Sequence, residues 1–504
     1  MEDPSESERS AGQETSDEDV DAGEGRIDTD PLSWWQKPAQ VTAMVSNFST
    51  SYNVVNISLV LPILQDLYQG SSEDAAACAS SLLAGMIVGQ VIGGALGDSF
   101  LGRLGALRLV MAVQIVASIG SALLWSGDAI YIALAIWRFF LGIGAGAVYP
   151  LAATLSAEQA EGSHEELTPE LKIRQLKSVV LTFSMQGFGF LTVPLVAVSL
   201  LYLVPESSLD LVWRLMLGFG CVPGLLLAVL QCRLYRASDF EAIPQVEPGQ
   251  DDSIGDIIQE ERHEPLIVHD SDEPAEQGHE QDPTPPGIWA SIRKEPNLLQ
   301  KLLGTAGTWF LFDVLFYGNT LFQPIVMEAA FGGGDPDEDN VIKKAATDSL
   351  ILGLIALPGY GISALVIGKR LCNIVQTPRY VQLQGFVAMG MLYSIIGAYW
   401  SELKRVPALL VFIYGLTFFF ANYGPNTTTF VFPSLVYSRE CRSTLNGVSA
   451  AAGKAGALVG ATFFAPAAAS FGDDKVMLIC AGVSVIGFAL TKCFTRVPDH
   501  SYAS

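Results

Sequence analysis

Long apolar blocks separated by short polar breaks run through most of this chain. A helix needs roughly 20 predominantly apolar residues to cross a bilayer. Twelve blocks meet that requirement, at about 42–66, 77–97, 107–126, 129–155, 176–203, 212–234, 302–327, 347–368, 380–400, 406–432, 446–470 and 476–494. Half of the 504 residues are hydrophobic and only 16% are charged, against about a quarter in ordinary soluble domains. The pattern predicts an all-α membrane protein with twelve transmembrane helices.

Net charge changes the picture once it is located. The whole chain carries −23, but residues 1–32 alone carry −10 and residues 237–287 carry −14. Both stretches are rich in Glu, Asp, Ser, Gly and Pro and poor in aromatics, a composition that cannot bury enough apolar surface to fold. The expected organisation is an acidic tail (1–36), a six-helix half (37–236), an acidic linker (237–296), a second six-helix half (297–496) and a short tail (497–504). Either acidic segment reads as solvated chain or as a regulatory element; the SDEDVD run near Ser16 suits an acidophilic kinase. No basic n-region precedes a short apolar stretch, so the first span is expected to act as an uncleaved signal. The seven cysteines fall within spans or at their edges without metal-ligand spacing, which reads as small buried hydrophobes.

Lys and Arg concentrate in alternate loops: Arg103 and Arg108, then Lys172, Arg174 and Lys177, then the flanks of the linker. The positive-inside rule puts both termini and the linker in the cytoplasm. The halves also echo one another. GALGDSFLGRLG (94–105) parallels VIGKRL (366–371), and GAVYPLAATLSAE (146–158) parallels NYGPNTTTFVFP (422–433). Paired Gly/Pro-interrupted spans in corresponding positions point to a substrate site between the halves. In the fourth span, Gly142, Gly144 and Gly146 supply a slim face for close helix approach, since small residues let backbones meet in lipid.

Charges inside spans are costly and mark substrate or ion pathways by default. Arg138 lies near the start of its span and suits a structural ion pair or a snorkelling end residue as well as a pathway charge. Asp313 lies deeper, between Trp309 and Tyr317 at steps of four residues. That spacing stacks the three on one helix face, a hydrogen-bonding wall rather than a lipid-facing surface. Lys454 stands in VSAAAGKAGALVG (448–460), with no local partner among small residues. It must pair across helices or meet an anion, and a compact oxyanion suits its point charge and three donors. The residues alone do not separate phosphate from sulfate or a carboxylate.

The Gly-Asp…Gly-Arg loop carrying Asp98 and Arg103 resembles the signature of the major facilitator superfamily, with Ser99, Phe100 and Leu101 in place of the usual Arg-x. WRFFLGIGAGAVYPLA (137–152), WRLMLGFGCVPGLLL (213–227), GTWFLFDVLFYG (307–318) and YGPNTTTFVFP…CRSTLNGVSAAAGKAGA (423–457) sharpen this to a resemblance to the phosphate:proton symporters of fungi and plants. The resemblance implies a major facilitator fold in two pseudo-symmetric halves. It also implies a phosphate site made of Tyr149, Gln186, Trp309, Asp313, Tyr317, Asn426 and Lys454, with Asp98, Arg103 and Arg138 in structural or gating roles. No enzyme activity, cofactor, resident metal or nucleic-acid partner is expected. The partners are phosphate and membrane lipid, in the plasma membrane or, alternatively, an organelle membrane.

Three positions depart from the family pattern. Val148 stands where the family has Asp before Tyr-Pro, and Thr50-Ser51-Tyr52-Asn53 stands where it has Asp-Ala-Tyr-Asp. None of Val148, Thr50 and Asn53 exchanges a proton near neutral pH. Asp313 is then the titratable group left at the site, and an ionised Asp313 beside incoming phosphate is a like-charge clash. Proton coupling through Asp313 is the expectation. The alternatives are sodium coupling through neutral oxygens of the first span (Asn47, Thr50, Ser51, Asn53, Asn56), uncoupled transport or export, a different small anion or a sugar, and a phosphate sensor.

Overall fold

A computed structural model describes residues 38–99, 101–127, 129–161, 168–241, 287–331 and 341–495. The SDEDVD run, most of the linker and the tail 497–504 lie outside these residues. The first half comprises α1 (Pro38–Val55), α2 (Ile57–Tyr68), α3 (Ser72–Gly97), α4 (Gly102–Ala122), α5 (Ile130–Glu161), α6 (Pro169–Leu203), α7 (Leu209–Phe219) and α8 (Val222–Glu241). A short helix α9 (Ile288–Lys294) then leads through α10 (Leu298–Leu302) and a π-helical turn (Leu303–Gly307) into α11 (Thr308–Phe331). The rest are α12 (Val341–Val366), α13 (Pro378–Ala398), α14 (Trp400–Leu403), α15 (Pro407–Ala421), α16 (Thr427–Val436), α17 (Arg442–Phe471) and α18 (Asp473–Phe494).

Ten helical stretches among the described residues are long and apolar enough to cross a membrane. An eleventh crosses as a bent pair, 298–320 and 322–330, turned by 45°. Pro324 accounts for the bend, because it cannot donate to the carbonyl of Thr320 and its ring crowds that group. The first predicted span is the α1–α2 pair, broken at Asn56 and too polar along NFSTSYN to count by hydropathy. Asn47, Ser49, Thr50, Tyr52 and Asn53 donate to groups outside α1 and Ser51 to the Asn47 carbonyl, which is what keeps these side chains in the bundle.

Within the first half α3 packs on α5, α4 on α5 and α1 on α6; within the second, α11 packs on α17 and α13 on α18. The halves meet along two seams, α3 against α17 and α6 against α12. These are the second span against the eleventh and the fifth against the eighth, as a pseudo-twofold axis requires. The period-two glycines of α5 serve two neighbours at once. A Cβ on Gly142 or Gly146 would meet the backbone of Leu82 or Met86 in α3 at 2.3 Å, and one on Gly144 would meet Val110 of α4 at 2.9 Å.

The two seams leave the molecule closed on the face that holds Pro38 and Phe494 and hollow on the other. A cavity of about 760 Å³ runs from Gln65, Glu328 and Lys344 inward to Tyr360 and Asn422. On the closed face, Asp98 accepts from the backbone N–H groups of Ser443 (3.3 Å) and Thr444 (2.7 Å) and from the Thr444 hydroxyl (2.6 Å). Arg103 pairs with Asp98 at 3.0 Å and Glu158 at 3.1 Å and donates to the Arg439 carbonyl at 2.8 Å. Burial pushes the Asp98 carboxyl above the ordinary aspartate range, against the pull of Thr444 and Arg103.

The stretch read as linker is helical at both of its described ends, in α8 to Glu241 and in α9. Beyond α9, Glu295 is buried against Lys301, the Ser438 N–H (3.1 Å) and the Cys441 thiol (3.4 Å). All seven cysteines are free. Cys78, Cys441 and Cys480 are buried, but Cys232, Cys372 and Cys493 are exposed; Cys372 sits in the turn of a small hairpin between Arg370–Leu371 and Ile374–Val375.

Candidate functional site

The run of small residues around Lys454 is what makes its ion pair. A Cβ on Gly453 would lie 2.5 Å from the Trp309 ring, one on Gly456 would lie 2.1 Å from the Phe310 carbonyl, and one on Gly460 would lie 2.3 Å from that of Val314. Helix α17 is thus pressed onto the face of α11 that carries Trp309, Asp313 and Tyr317. Lys454 Nζ donates to Asp313 Oδ2 at 2.7 Å and to the Tyr317 hydroxyl at 2.9 Å. The ammonium also lies 4.3 Å from the Tyr317 ring centroid and 5.6 Å from that of Tyr149. The Trp309 indole lies beside the same carboxylate. Lys454 and Asp313 are 3% and 2% exposed, so the pair is insulated from solvent.

A second cluster is built on a residue that the sequence reading did not single out. Tyr360, on α12, accepts from the side-chain amides of Asn426 (2.9 Å) and Gln186 (3.3 Å). With both lone pairs engaged, its own O–H is left as a donor. Asn426 also donates to Asn422 Oδ1 at 2.8 Å. It is presented by the break between α15 and α16, where Gly424 leaves helical geometry (φ −102°, ψ −106°) and Pro425 follows. Interruptions of this π-helical kind recur at functional sites. Gln186 Oε1 is buried without a partner.

Phe430 and Phe183 join the two clusters. Tyr149 meets Phe430 edge-on at 6.2 Å, Phe430 meets Phe183 at 4.6 Å, and Phe183 meets Tyr360 at 5.7 Å. All seven predicted site residues therefore converge from both halves, and Tyr360 makes an eighth member that also floors the cavity. The assembly offers one cation, one carboxylate and several neutral donors, a set able to hold a small oxyanion once Asp313 yields its place on Lys454.

The three positions without an acid lie elsewhere. Val148 points away from Tyr149 into an apolar cluster with Ala43, Leu107, Val110 and Met111. Thr50 donates to Gln114 Oε1 at 3.1 Å, and Asn53 donates to the Gly220 carbonyl at 2.9 Å. Arg138 is 1% exposed, so it does not snorkel, and among the described residues it has no ion-pair partner. It donates to the Asn53 carbonyl (2.9 Å) and to Asn56 Oδ1 (2.7 Å), because the carbonyl freed at the α1–α2 break and a neighbouring amide supply the acceptors. It belongs with α1, apart from the Asp98–Arg103 closure.

Comparison with known proteins agrees with this geometry. Residues 43–461 match the Major Facilitator Superfamily. The chain is 31% identical to the low affinity inorganic phosphate transporter 1 of Petunia hybrida, covering 87% of this chain and 84% of that protein. It is 28% identical to the inorganic phosphate transporter 1-1 of Oryza sativa subsp. japonica, with 92% of each covered. Among solved structures, the proton:xylose symporter XylE bound to 6-bromo-6-deoxy-D-glucose superposes with a TM-score of 0.66 at 17% identity, over 92% of this chain and 96% of that one. At that identity the likeness speaks for the fold alone. An integral membrane bundle in two six-helix halves, a buried polar centre between them and these relatives give one result: the chain belongs to the major facilitator superfamily, as a member of its inorganic phosphate transporter family and not an enzyme.

Proposed function

We propose that the protein carries inorganic phosphate across the plasma membrane by alternating access, coupled to protons through Asp313. The closed face, with both termini, is cytoplasmic in this reading, so the cavity opens outward. The observation that carries it is the buried Lys454–Asp313 pair at the centre of the bundle, together with the names of the relatives.

Phosphate descends the cavity to Tyr360, Gln186 and Asn426 and reaches Lys454. An ionised Asp313 already occupies that ammonium, and two anions on one buried cation repel each other. Protonation of Asp313 releases Lys454 to the phosphate and removes the like charge in one step. The protonated carboxyl becomes a donor to the substrate. Trp309, Tyr317 and Tyr149 complete the shell. After release to the cytoplasm the proton leaves, Asp313 returns to Lys454, and the re-formed pair lets the empty carrier reset.

Sodium coupling through the first span is the weaker reading. Asn47, Thr50 and Asn53 donate to groups outside α1, Ser51 donates to the Asn47 carbonyl of its own helix, and the Arg138 guanidinium already takes the Asn53 carbonyl and Asn56 Oδ1. A second cation there would meet a like charge.

The test is radiolabelled phosphate uptake by the purified protein in liposomes, under an inward proton gradient, an inward sodium gradient or neither. Accumulation driven by protons alone is expected. Sodium-driven accumulation moves the coupling site to α1, and equilibration without accumulation makes the protein an uncoupled carrier. No phosphate entry rejects the cargo assignment.

A further inference from the structure

Between Lys454 and the closed face, the α3–α17 seam contains a polar side chain with nothing to bond. Gln90 is fully buried, and among the described residues neither its Oε1 nor its Nε2 has a partner. Burying a polar group without a partner is destabilising, so a packed helix crossing would ordinarily favour an apolar residue here.

Its position gives the reason. On α3, Gly89 and Gly93 face Ile143 and Ala147 of α5, while Gly94 and Gly97 face Ser443 of α17. At 3.6 residues per turn Gln90 falls between Gly97 and Gly94, on the face turned to α17, and its own carbonyl abuts Gly447. On α17, Ser443, Gly447 and Lys454 share one stripe, since steps of seven and eleven residues return to within about 20° of the same direction. The Ser443 hydroxyl is likewise buried and unpartnered. The stripe leads from Lys454 past Gln90 to Ser443 and ends at the Asp98–Thr444 bonds of the closed face.

We propose that Gln90 is a contact site for the leaving oxyanion: when the halves part along this seam, its amide N–H donates to the anion after it has left Lys454. The inference rests on the phosphate reading and deepens it. The amide that is unsatisfied while the seam is closed is satisfied by cargo or water once the seam opens, which favours opening and gives the anion a stop on the way out. An amide suits the task, because it donates without holding the anion by charge.

The experiment uses the full-length purified protein with Gln90→Leu and Gln90→Glu, comparing equilibrium binding of radiolabelled phosphate with the initial rate of uptake into liposomes. Expected is a dissociation constant within about twofold of the unaltered protein, with uptake roughly tenfold slower for Q90L and slower again for Q90E, whose carboxylate repels the anion. Binding that remains intact also shows that each variant is folded. Uptake by Q90L at or above the normal rate overturns the proposal, as does Q90E transporting as well as Q90L, or binding that weakens in step with uptake. If the unaltered protein neither binds nor carries phosphate, the cargo assignment itself fails, and that result is separate from any effect at Gln90.

Discussion

Lys454 and Asp313 form a 2.7 Å ion pair between α17 and α11, and Tyr317 caps the same ammonium at 2.9 Å. A buried pair is a poor source of stability but is costly to break by removing one partner. That asymmetry suits a carrier, in which substrate and carboxylate compete for a single cation. Lys454→Ala should weaken phosphate binding by about 30- to 1,000-fold, the range of 2–4 kcal/mol for losing a buried charge-assisted contact. Asp313→Asn should still exchange phosphate but lose accumulation driven by a pH gradient. Proton-driven accumulation that survives in Asp313→Asn excludes Asp313 as the coupling group.

Tyr360 joins the halves through one hydroxyl. Tyr360→Phe leaves the amides of Gln186 and Asn426 without their shared acceptor, at about 1–3 kcal/mol per unsatisfied group. Both amides would rotate or take up water, and the site would lose its preset geometry. The expected result is a KM for phosphate raised roughly 5- to 100-fold, measured by uptake at saturating and subsaturating phosphate. An unchanged KM would place Tyr360 outside the binding site.

Sequence displayed the spans well because a bilayer demands long apolar helices. Asp313 and Lys454, with Trp309 and Tyr317 beside the acid, stood out as polar groups against that background, whereas Tyr149, Gln186 and Asn426 came from the family resemblance alone. Tyr360 escaped notice because tyrosines are common in spans, and LPGYGIS holds no charge to draw attention to it. The signal was its glycines: a Cβ on Gly359 would come within 2.3 Å of the Phe419 carbonyl, so the local composition marks a tight helix contact. Arg138 misled differently. Its nearness to a helix end suggested snorkelling, but α5 begins at Ile130 and the guanidinium turns inward to a break in α1. Which way Val148 faces could not be read from a sequence in which every neighbour is apolar.

Val148 offers a test of whether the missing acid can simply be restored. It packs in a cluster with Ala43, Leu107, Val110, Met111 and Leu151, apolar side chains that cannot pair with a carboxylate. Val148→Asp should therefore destabilise the protein by several kcal/mol, the effective penalty for one unpaired buried ion, while Val148→Ala costs about 1–2 kcal/mol for the lost packing. Thermal unfolding of the purified variants in detergent checks this. Equal melting temperatures for the two would show that the site admits a carboxylate, and would reopen the case for a relay along α1 and α5.

Glu295 ties the end of the linker to the loop on the closed face of the bundle. It accepts from Ser438 and Lys301, and the same loop presents the Arg439 carbonyl to Arg103 and leads into the first turn of α17, whose Thr444 N–H donates to Asp98. Burial pushes its carboxyl up, but the Lys301 ammonium and the Ser438 N–H outweigh this and hold it below the ordinary glutamate value of 4.5. A carboxyl depressed in the folded state stabilises above its unfolded pKa, and the contribution disappears as pH falls through the folded value. Glu295→Gln should consequently melt earlier than the unaltered protein at pH 7, by an amount equivalent to about 1–3 kcal/mol. The gap should begin to shrink near pH 4.5 and close at lower pH, where the native carboxyl is protonated as well. A gap that persists unchanged into that acid range would mean that Glu295 acts through shape and packing rather than charge. A gap that closes would make the Lys301–Glu295 pair the electrostatic link between the linker and the closing loop.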